Sequence, residues 1–290
     1  MAAASSAASL AAAVTGGALD ELVHRSIIAP PSESGHPGQP TAIIVLNNVG
    51  EDSGSSLFLR SAWHSASLRL CADGGANSLY DSLGEQNRSL FLPDMVVGDL
   101  DSLRPEVADY YRDSGAAIVK VSDQDRNDFE KCLQQVLASA GAAARDTTVV
   151  ALGAFGGRFD QEMAAFHLLY QYTHAFRRFV LLGGGNVSFL LLPDRRHRIV
   201  PDPRMEGPFC GLLPIGNPCG SVTTSGLMWD LHQQPLAFGG RVSSSNRIAA
   251  AEVEVVTDAP VVWTMSFGAA TVAAAAATAA AAAEAGEGDA

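Results

Sequence analysis

Cysteine is scarce in this chain of 290 residues, and the spacing of its four cysteines argues against a zinc site. They are Cys71, Cys132, Cys210 and Cys219, and no two of them form the Cys-x-x-Cys pair that structural zinc sites commonly use. So few cysteines in a chain of this size predict free thiols in a reducing compartment.

Positively charged residues are also few. There are 19 Lys and Arg residues against 31 Asp and Glu residues, which leaves a formal net charge of −12. A nucleic-acid-binding protein normally presents a basic face, so this class is disfavoured. The balance is compatible with a small phosphorylated ligand, because local charge can differ from the total.

Long apolar runs are missing, so no membrane span is predicted. The Ala-rich tail after Gly268 comes closest, but Thr278 and Glu284 interrupt it. The first forty residues lack a basic segment followed by a Leu-rich core, which argues against a secretory signal, and their first arginine is Arg25. We therefore predict a low-complexity extension over residues 1–40, a disordered tail over 269–290 and a cytoplasmic location, with organelle import as the minority interpretation.

Helical and strand patterns alternate between residues 41 and 193. TAIIVLN, LRLCAD and MVVGDLD are typical of strands, whereas PEVADYYRDSG and DFEKCLQQVLASA are typical of helices. This alternation predicts an N-terminal α/β domain with a doubly wound parallel sheet. After about Arg195 only short runs punctuated by Gly, Pro, Asn and Asp follow, and they predict an all-β sandwich over residues 194–268.

Polar residues follow four successive predicted strands, where ligands bind in an open α/β sheet. Asp73 and the pair Gly74-Gly75 follow the first of these strands, and Asp99 and Asp101 follow the second. The next two loops, with the starts of the helices that follow them, carry Gln124, Arg126, Asp128, Lys131, Gly156, Gly157, Arg158, Asp160 and Gln161. The chain has no GxxxxGK[ST] motif, so it is not a P-loop enzyme. It also has no HRD or DFG motif of the protein kinases.

Mg²⁺ is the cation that suits this acidic edge. It takes oxygen ligands and bridges one or two carboxylates to phosphate oxygens. Asp99 and Asp101 can both face one ion, and Asp73 and Asp128 can complete the cluster. The glycines would admit phosphate to backbone N–H groups, and cations such as Lys131 would neutralise the remaining charge.

Each of these features also has an ordinary structural interpretation. Asp160 could simply cap its helix, and Asp128 with Lys131 could be a surface ion pair. Gly74-Gly75 could be only a tight turn, and Trp229 could be a core residue of the β domain. The convergence of four strand ends on one edge favours the metal–phosphate site, because the structural interpretation needs four unrelated coincidences.

Several motifs resemble the thiamine pyrophosphokinase family. DGGANSLYD, PDMVVGDLDS, DQDRNDFEKCL and GGRFDQ are similar to its catalytic domain in order and spacing. MEGPFCGLLPIG, VTTSGLMWDL, FGGRVSSSN and VVWTMS are similar to its thiamine-binding β domain. The resemblance extends from Thr41 to Phe267. This chain departs from it at Leu100, where the family often has an aromatic residue, and at Arg126-Asn127.

The resemblance implies transfer of a pyrophosphoryl group from ATP to the hydroxyl of thiamine, giving AMP and thiamine diphosphate, with Mg²⁺ as cofactor. It also implies a homodimer whose active sites are shared between subunits. The metal–phosphate centre would consist of Asp73, Asp99, Asp101 and Asp128, and Asp160 would help to position ATP and the attacking alcohol. Apart from the resemblance, the chemistry of the transfer makes Asp128 or Asp160 a candidate proton acceptor. ATP would contact Gly74, Gly75, Gln124, Lys131, Arg158 and Gln161, and thiamine would contact Thr224, Trp229, Ser243, Ser245 and Asn246.

Two other functions fit the same residues. One is a different Mg²⁺-dependent nucleotidyl or phosphohydrolase activity, which would turn over ATP without thiamine. The other is a sensor that binds thiamine or nucleotide and catalyses nothing. The number of acids that must be neutralised argues against a pure binding protein.

Overall fold

The computed structural model describes residues 19–27, 40–49, 53–193 and 195–268. The predicted disordered tail and most of the predicted N-terminal extension lie outside these residues. The chain divides into two compact units, one spanning residues 30–187 and the other combining residues 1–29 with 188–290. The first strand, β1 (Asp20–Arg25), belongs to the second of these units.

A parallel sheet forms the centre of the unit that spans residues 30–187. Its strands are β2 (Thr41–Val45), β3 (Leu68–Ala72), β4 (Met95–Gly98), β5 (Ala117–Lys120), β6 (Thr148–Leu152) and β7 (Arg178–Gly183). They lie in the order β7-β6-β2-β3-β4-β5, and the neighbouring pairs are parallel. The chain order reverses at β2, as predicted for a doubly wound sheet.

Five α-helices in the described residues connect these strands. They are α1 (Ser53–Ala62), α2 (Gly75–Leu83), α3 (Pro105–Asp113), α4 (Asp128–Ala140) and α5 (Phe159–Tyr172). The helix α3 begins with a proline, which loses no intrahelical hydrogen bond in the first turn. Before α4, the side chain of Asn127 caps the helix by accepting a hydrogen bond from the Glu130 N–H at 2.8 Å. No helix within the described residues is long and apolar enough to cross a membrane.

The other unit consists of strands. Besides β1 it contains β8 (Asn186–Leu191) from Ser188 onward, together with β9 (Arg195–Val200), β10 (Glu206–Leu213), β11 (Cys219–Ser225), β12 (Gln234–Leu236), β13 (Ser243–Arg247), β14 (Val253–Thr257) and β15 (Val261–Phe267). One sheet has the order β1-β9-β14-β11-β12, and β13, β10, β15 and β8 are neighbours in a second layer. The His24 ring of β1 stacks on Phe189 of β8 with centroids 4.5 Å apart, so the two layers are in contact here.

The structure differs from the predicted domain bounds at two places. The boundary falls after Val187 rather than after Pro193. Residues 20–25, predicted to lie in the N-terminal extension, form β1, which pairs in parallel with β9. The buried His24 ring hydrogen-bonds His197 at 2.9 Å. The partner of this strand is more than 170 residues away, and local composition cannot reveal such a contact.

Candidate active site

Three acids converge where β3 and β4 end. One carboxylate oxygen from each of Asp73, Asp99 and Asp101 lies within 4.8 Å of the other two. Asp73 follows β3 directly, and the other two acids flank Leu100, whose φ of +65° bends the chain sharply after β4. A positive φ is costly for leucine, so this conformation depends on the surrounding structure.

Asp73 is buried, with 2% of its surface exposed. Its Oδ2 accepts a hydrogen bond from the Ser102 N–H at 3.1 Å, but its Oδ1 is buried and has no hydrogen-bond partner within the described parts of the chain. Burial raises the pKa of Asp73 to about 6, and the nearby carboxylates of Asp128, Asp101 and Asp99 add to this effect against the Ser102 hydrogen bond. An orphaned buried oxygen beside two more carboxylates is a donor set that fits Mg²⁺.

Asp128 forms the wall of this cluster and is paired with a buried lysine. The Lys131 Nζ lies 2.8 Å from Asp128 Oδ1 and 4.0 Å from Asp99 Oδ2. Lys131 is only 3% exposed, so the surface ion pair is the wrong interpretation. Asp128 Oδ1 also accepts the Asp99 N–H at 3.2 Å, and it lies outside the three acids whose oxygens converge.

Gly98 allows these acids to come close together. A Cβ at this position would lie 2.7 Å from the Asp73 Cβ and 3.1 Å from Asp128 Oδ1. A side chain here would therefore push Asp73 and Asp128 apart. The close approach of Asp73 and Asp128 therefore explains why the last residue of β4 is a glycine.

The loop after β5 reaches back to the cluster. Gln124 Nε2 donates a hydrogen bond to Asp99 Oδ2 at 3.2 Å. The pKa of Asp99 is lowered, first by the Asp101 backbone N–H and then by Gln124. Arg126 is paired with Asp123 of the same loop, and its Nε lies 3.4 Å from Glu130 Oε1 of α4. Its ion pairs are therefore with acids outside the cluster.

Close packing explains the glycine pair after Asp73. A Cβ on Gly75 would lie 2.3 Å from the Val45 carbonyl oxygen, and one on Gly74 would lie 2.8 Å from Asn47 Oδ1. The start of α2 therefore presses against the end of β2. This close packing is enough to explain why residue 75 is a glycine. The predicted contact of Gly74 and Gly75 with phosphate stays a prediction.

A cleft opens beside the acids, at the carboxyl ends of β2 and β6. Its lining includes Asn47, Asn48, Asp128, Arg158, Gln161 and Glu162. Because the strand order reverses at β2, this is the switch point where doubly wound sheets bind their ligands. Asp128 belongs both to the cleft and to the acidic wall, so the two features are adjacent.

Arg158 and Asp160 lie on the exposed rim of this region. The Arg158 Nε lies 3.0 Å from Asp160 Oδ1, and both side chains are about two-thirds exposed, at 70% and 66%. The hydrogen bond from Arg158 lowers the pKa of Asp160. Asp160 is not among the acids that converge, and its predicted catalytic role stays a prediction.

Four polar residues of the cleft were not predicted as site residues: Asn47, Asn48, Asn127 and Glu162. Asn47 and Asn48 directly follow the apolar run of β2, and the rule that identified Asp73 would have found them. Glu162 lies in the first turn of α5, where an acid is unremarkable because it suits the helix dipole. Only the fold shows that Glu162 lines the cleft.

The residues predicted to bind thiamine lie in the strand-rich unit. Trp229 is 55% exposed, so it is not a core residue, whereas Trp263 is fully buried. The buried Thr224 donates a hydrogen bond to Asp230 Oδ1 at 2.8 Å, and the buried Asn246 donates one to the Trp229 carbonyl at 2.8 Å. Thr224 and Asn246 thus brace the loop that displays Trp229.

The two predicted serines differ in exposure. Ser243 is buried, with its Oγ 3.4 Å from Asn246 Nδ2. Ser245 is exposed and has a φ of +60°. Their proposed contacts with thiamine stay predictions.

Comparison with known proteins identifies the family. Residues 59–181 match the model for "Thiamin pyrophosphokinase, catalytic domain", and residues 196–262 match that for "Thiamin pyrophosphokinase, vitamin B1 binding domain". Thiamine pyrophosphokinase 1 from Oryza sativa subsp. japonica is 38% identical over 266 residues, covering 86% of this chain and 98% of the relative. Thiamine pyrophosphokinase 1 from Arabidopsis thaliana is 37% identical over 259 residues, covering 86% and 94%.

Solved structures agree with these matches. The crystal structure of yeast thiamin pyrophosphokinase superposes with a TM-score of 0.75 at 26% identity, covering 88% of this chain and 93% of that one. Thiamin pyrophosphokinase from Candida albicans gives a TM-score of 0.72 at 26% identity, covering 88% and 95%. Because two family models and relatives of nearly the same length agree, the chain belongs to the thiamine pyrophosphokinase family.

Proposed function

We propose that this protein transfers the pyrophosphoryl group of ATP to the hydroxyl of thiamine, giving thiamine diphosphate and AMP. Family membership supports the activity. The observation that carries the proposal is the convergence of Asp73, Asp99 and Asp101, with an orphaned buried oxygen on Asp73, beside a cleft at the sheet's switch point. Together they offer a candidate cation site next to an open cleft.

Mg²⁺ would be held by Asp73, Asp99 and Asp101. The chemistry that a bound ion would supply there is compensation of the negative charge on the phosphates during the transfer. The buried Lys131 adds a fixed positive charge to the same centre and keeps Asp128 paired. Phosphoryl-type transfer depends mainly on such positioning and charge neutralisation, so the chain needs no covalent nucleophile.

Asp128 is the better placed of the two candidate proton acceptors. Its Oδ1 is engaged by Lys131 and by the Asp99 N–H, which leaves Oδ2 to accept the proton of the thiamine hydroxyl. Asp160 is tied to Arg158 on the exposed rim, where its lowered pKa makes it a weak base. In-line attack at the β-phosphorus would expel AMP.

Trp229 would contact thiamine, which is a cation with an aromatic pyrimidine. Its exposure and the braced loop below it support this assignment. We also propose a homodimer in which each active site combines the α/β unit of one subunit with the β unit of the other. This arrangement and the cytoplasmic location both rest on the sequence analysis.

The test is an incubation of the purified protein with ATP, Mg²⁺ and thiamine, each omitted in turn, with chromatographic separation of the products. AMP and thiamine diphosphate should appear together and only when all three are present. ADP with thiamine monophosphate would refute attack at the β-phosphorus. ATP hydrolysis without thiamine would favour a phosphohydrolase, and tight thiamine binding without products would favour a sensor.

A further inference from the structure

We propose that Glu162 recognises the ribose of the nucleotide and makes the enzyme discriminate against deoxyribonucleotides. This inference rests on the proposed function, which brings a nucleoside triphosphate to the cleft. It assigns a specificity-determining role to a residue that the sequence motifs do not mark.

Glu162 is held in place at the cleft by one of its two oxygens. Its Oε1 accepts a hydrogen bond from the Gly156 N–H at 2.8 Å. Asn48, which also lines the cleft, donates a hydrogen bond from its Nδ2 to the Phe155 carbonyl at 2.7 Å. The glycine loop is therefore braced at two points, and Glu162 Oε2 receives no hydrogen bond from any part of the chain that the structure describes.

Charge decides which end of a nucleotide lies near Glu162. Among the residues that the structure describes, Glu162 has no salt-bridge partner, and Arg158, which lines the same cleft, is paired with Asp160. The Glu162 carboxylate would repel a triphosphate at close range. The phosphates belong on the side of Asp128, where Lys131 and the proposed metal centre offer positive charge. The nucleoside then extends toward Glu162.

The ribose is the part of the nucleoside that suits a carboxylate on a glycine-rich wall. Its two hydroxyls are neighbouring donors, and carboxylates accept such hydroxyls in other doubly wound nucleotide sites. In the adjacent loop, residues 153–157, Gly153, Ala154 and Gly157 line the cleft. The large side chain of this loop, Phe155, is buried and is not part of the lining, so little side-chain bulk keeps a sugar away. A hydroxyl bonded to a carboxylate is a charge-assisted contact, and its loss is felt strongly.

The experiment compares ATP with 2′-deoxyATP, 3′-deoxyATP and ITP in wild type and in Glu162→Gln. The glutamine can still accept the Gly156 N–H, so the loop keeps its brace while the charge is lost. The preference for ATP over at least one deoxy analogue, measured as kcat/KM, should fall by about tenfold. The preference for ATP over ITP, which differs in the base, should not change. Glu106→Gln is the matched control, because Glu106 also lies in the first turn of a helix.

Equilibrium binding of the same nucleotides without thiamine separates this inference from the proposed function. If wild type makes no thiamine diphosphate but prefers ATP over the deoxy analogues in binding, and Glu162→Gln removes that preference, only the proposed function fails. An unchanged preference in Glu162→Gln would overturn the ribose assignment and leave Glu162 as a brace for the loop. A change confined to ITP would mean that Glu162 contacts the base, which also overturns it.

Discussion

Replacing Asp73 by Asn should stabilise the metal-free protein while abolishing catalysis. The wild-type carboxylate is buried beside three other acids, and its pKa is raised from 3.8 to about 6. Two pKa units correspond to about 3 kcal/mol against the ionised form at neutral pH. We expect a gain of about 1–2 kcal/mol, because the buried amide of Asn needs partners of its own. Its Oδ1 can still accept the Ser102 N–H.

Urea unfolding in EDTA and in Mg²⁺ would measure this effect. In EDTA, the wild-type free energy of unfolding should fall as the pH rises from about 4 to about 6. In this range the native Asp73 binds a proton that the unfolded chain has released. The Asp73→Asn variant should lack this pH-dependent part of the free energy of unfolding. It should also lose the stabilisation by Mg²⁺, and its turnover should fall at least about 100-fold.

Asp81→Asn is the matched control, since Asp81 is an exposed acid of α2 paired with Arg104 at 2.7 Å. We expect it to change the free energy of unfolding by less than about 0.5 kcal/mol and to leave turnover intact. The reasoning would be refuted if Asp73→Asn were less stable than wild type in EDTA. Undiminished stabilisation by Mg²⁺ would remove Asp73 from the metal site.

Three further predictions concern the remaining acids, the proposed dimer and the buried histidines. Asp99→Asn and Asp101→Asn should each lower turnover about 100-fold or more with little change in melting temperature, and near-normal activity would exclude that residue from the metal site. Mixing the inactive variants Asp99→Asn and Trp229→Ala should restore up to about a quarter of wild-type activity, because half of the dimers then carry one intact shared site. No recovery after confirmed subunit exchange would contradict the shared site. Burial lowers the pKa of His197 to about 4. Between pH 7 and pH 5 the unfolded histidine therefore binds a proton that the native one does not. Acidification over this range should lower the free energy of unfolding by about 2 kcal/mol through this group. A His197→Asn variant with the same pH slope as wild type in urea unfolding would refute this.

The local sequence pattern was sufficient to predict many of the strands and helices of the α/β unit. The strand MVVG ends at residue 98 and the acids follow it, as the sequence predicts, and the helix from Asp128 to Ala140 has an apolar face and an Asn cap that are both readable. Hydrophobic periodicity and capping act over a few residues, so they survive without tertiary information. The same locality explains the error at β1, whose partner strand is distant in sequence.

The sequence by itself determined the alternation of strands and helices, the acids that follow β3 and β4, and the resemblance to a family. These properties depend on residue type and short spacing. Only the tertiary structure decided that Asp73 is buried with an unpaired oxygen, that Lys131 is a buried counter-charge, and that Glu162 lines a cleft. Burial, pairing and the unexpected place of β1 depend on which distant segments pack together, and that packing is a property of the folded chain as a whole.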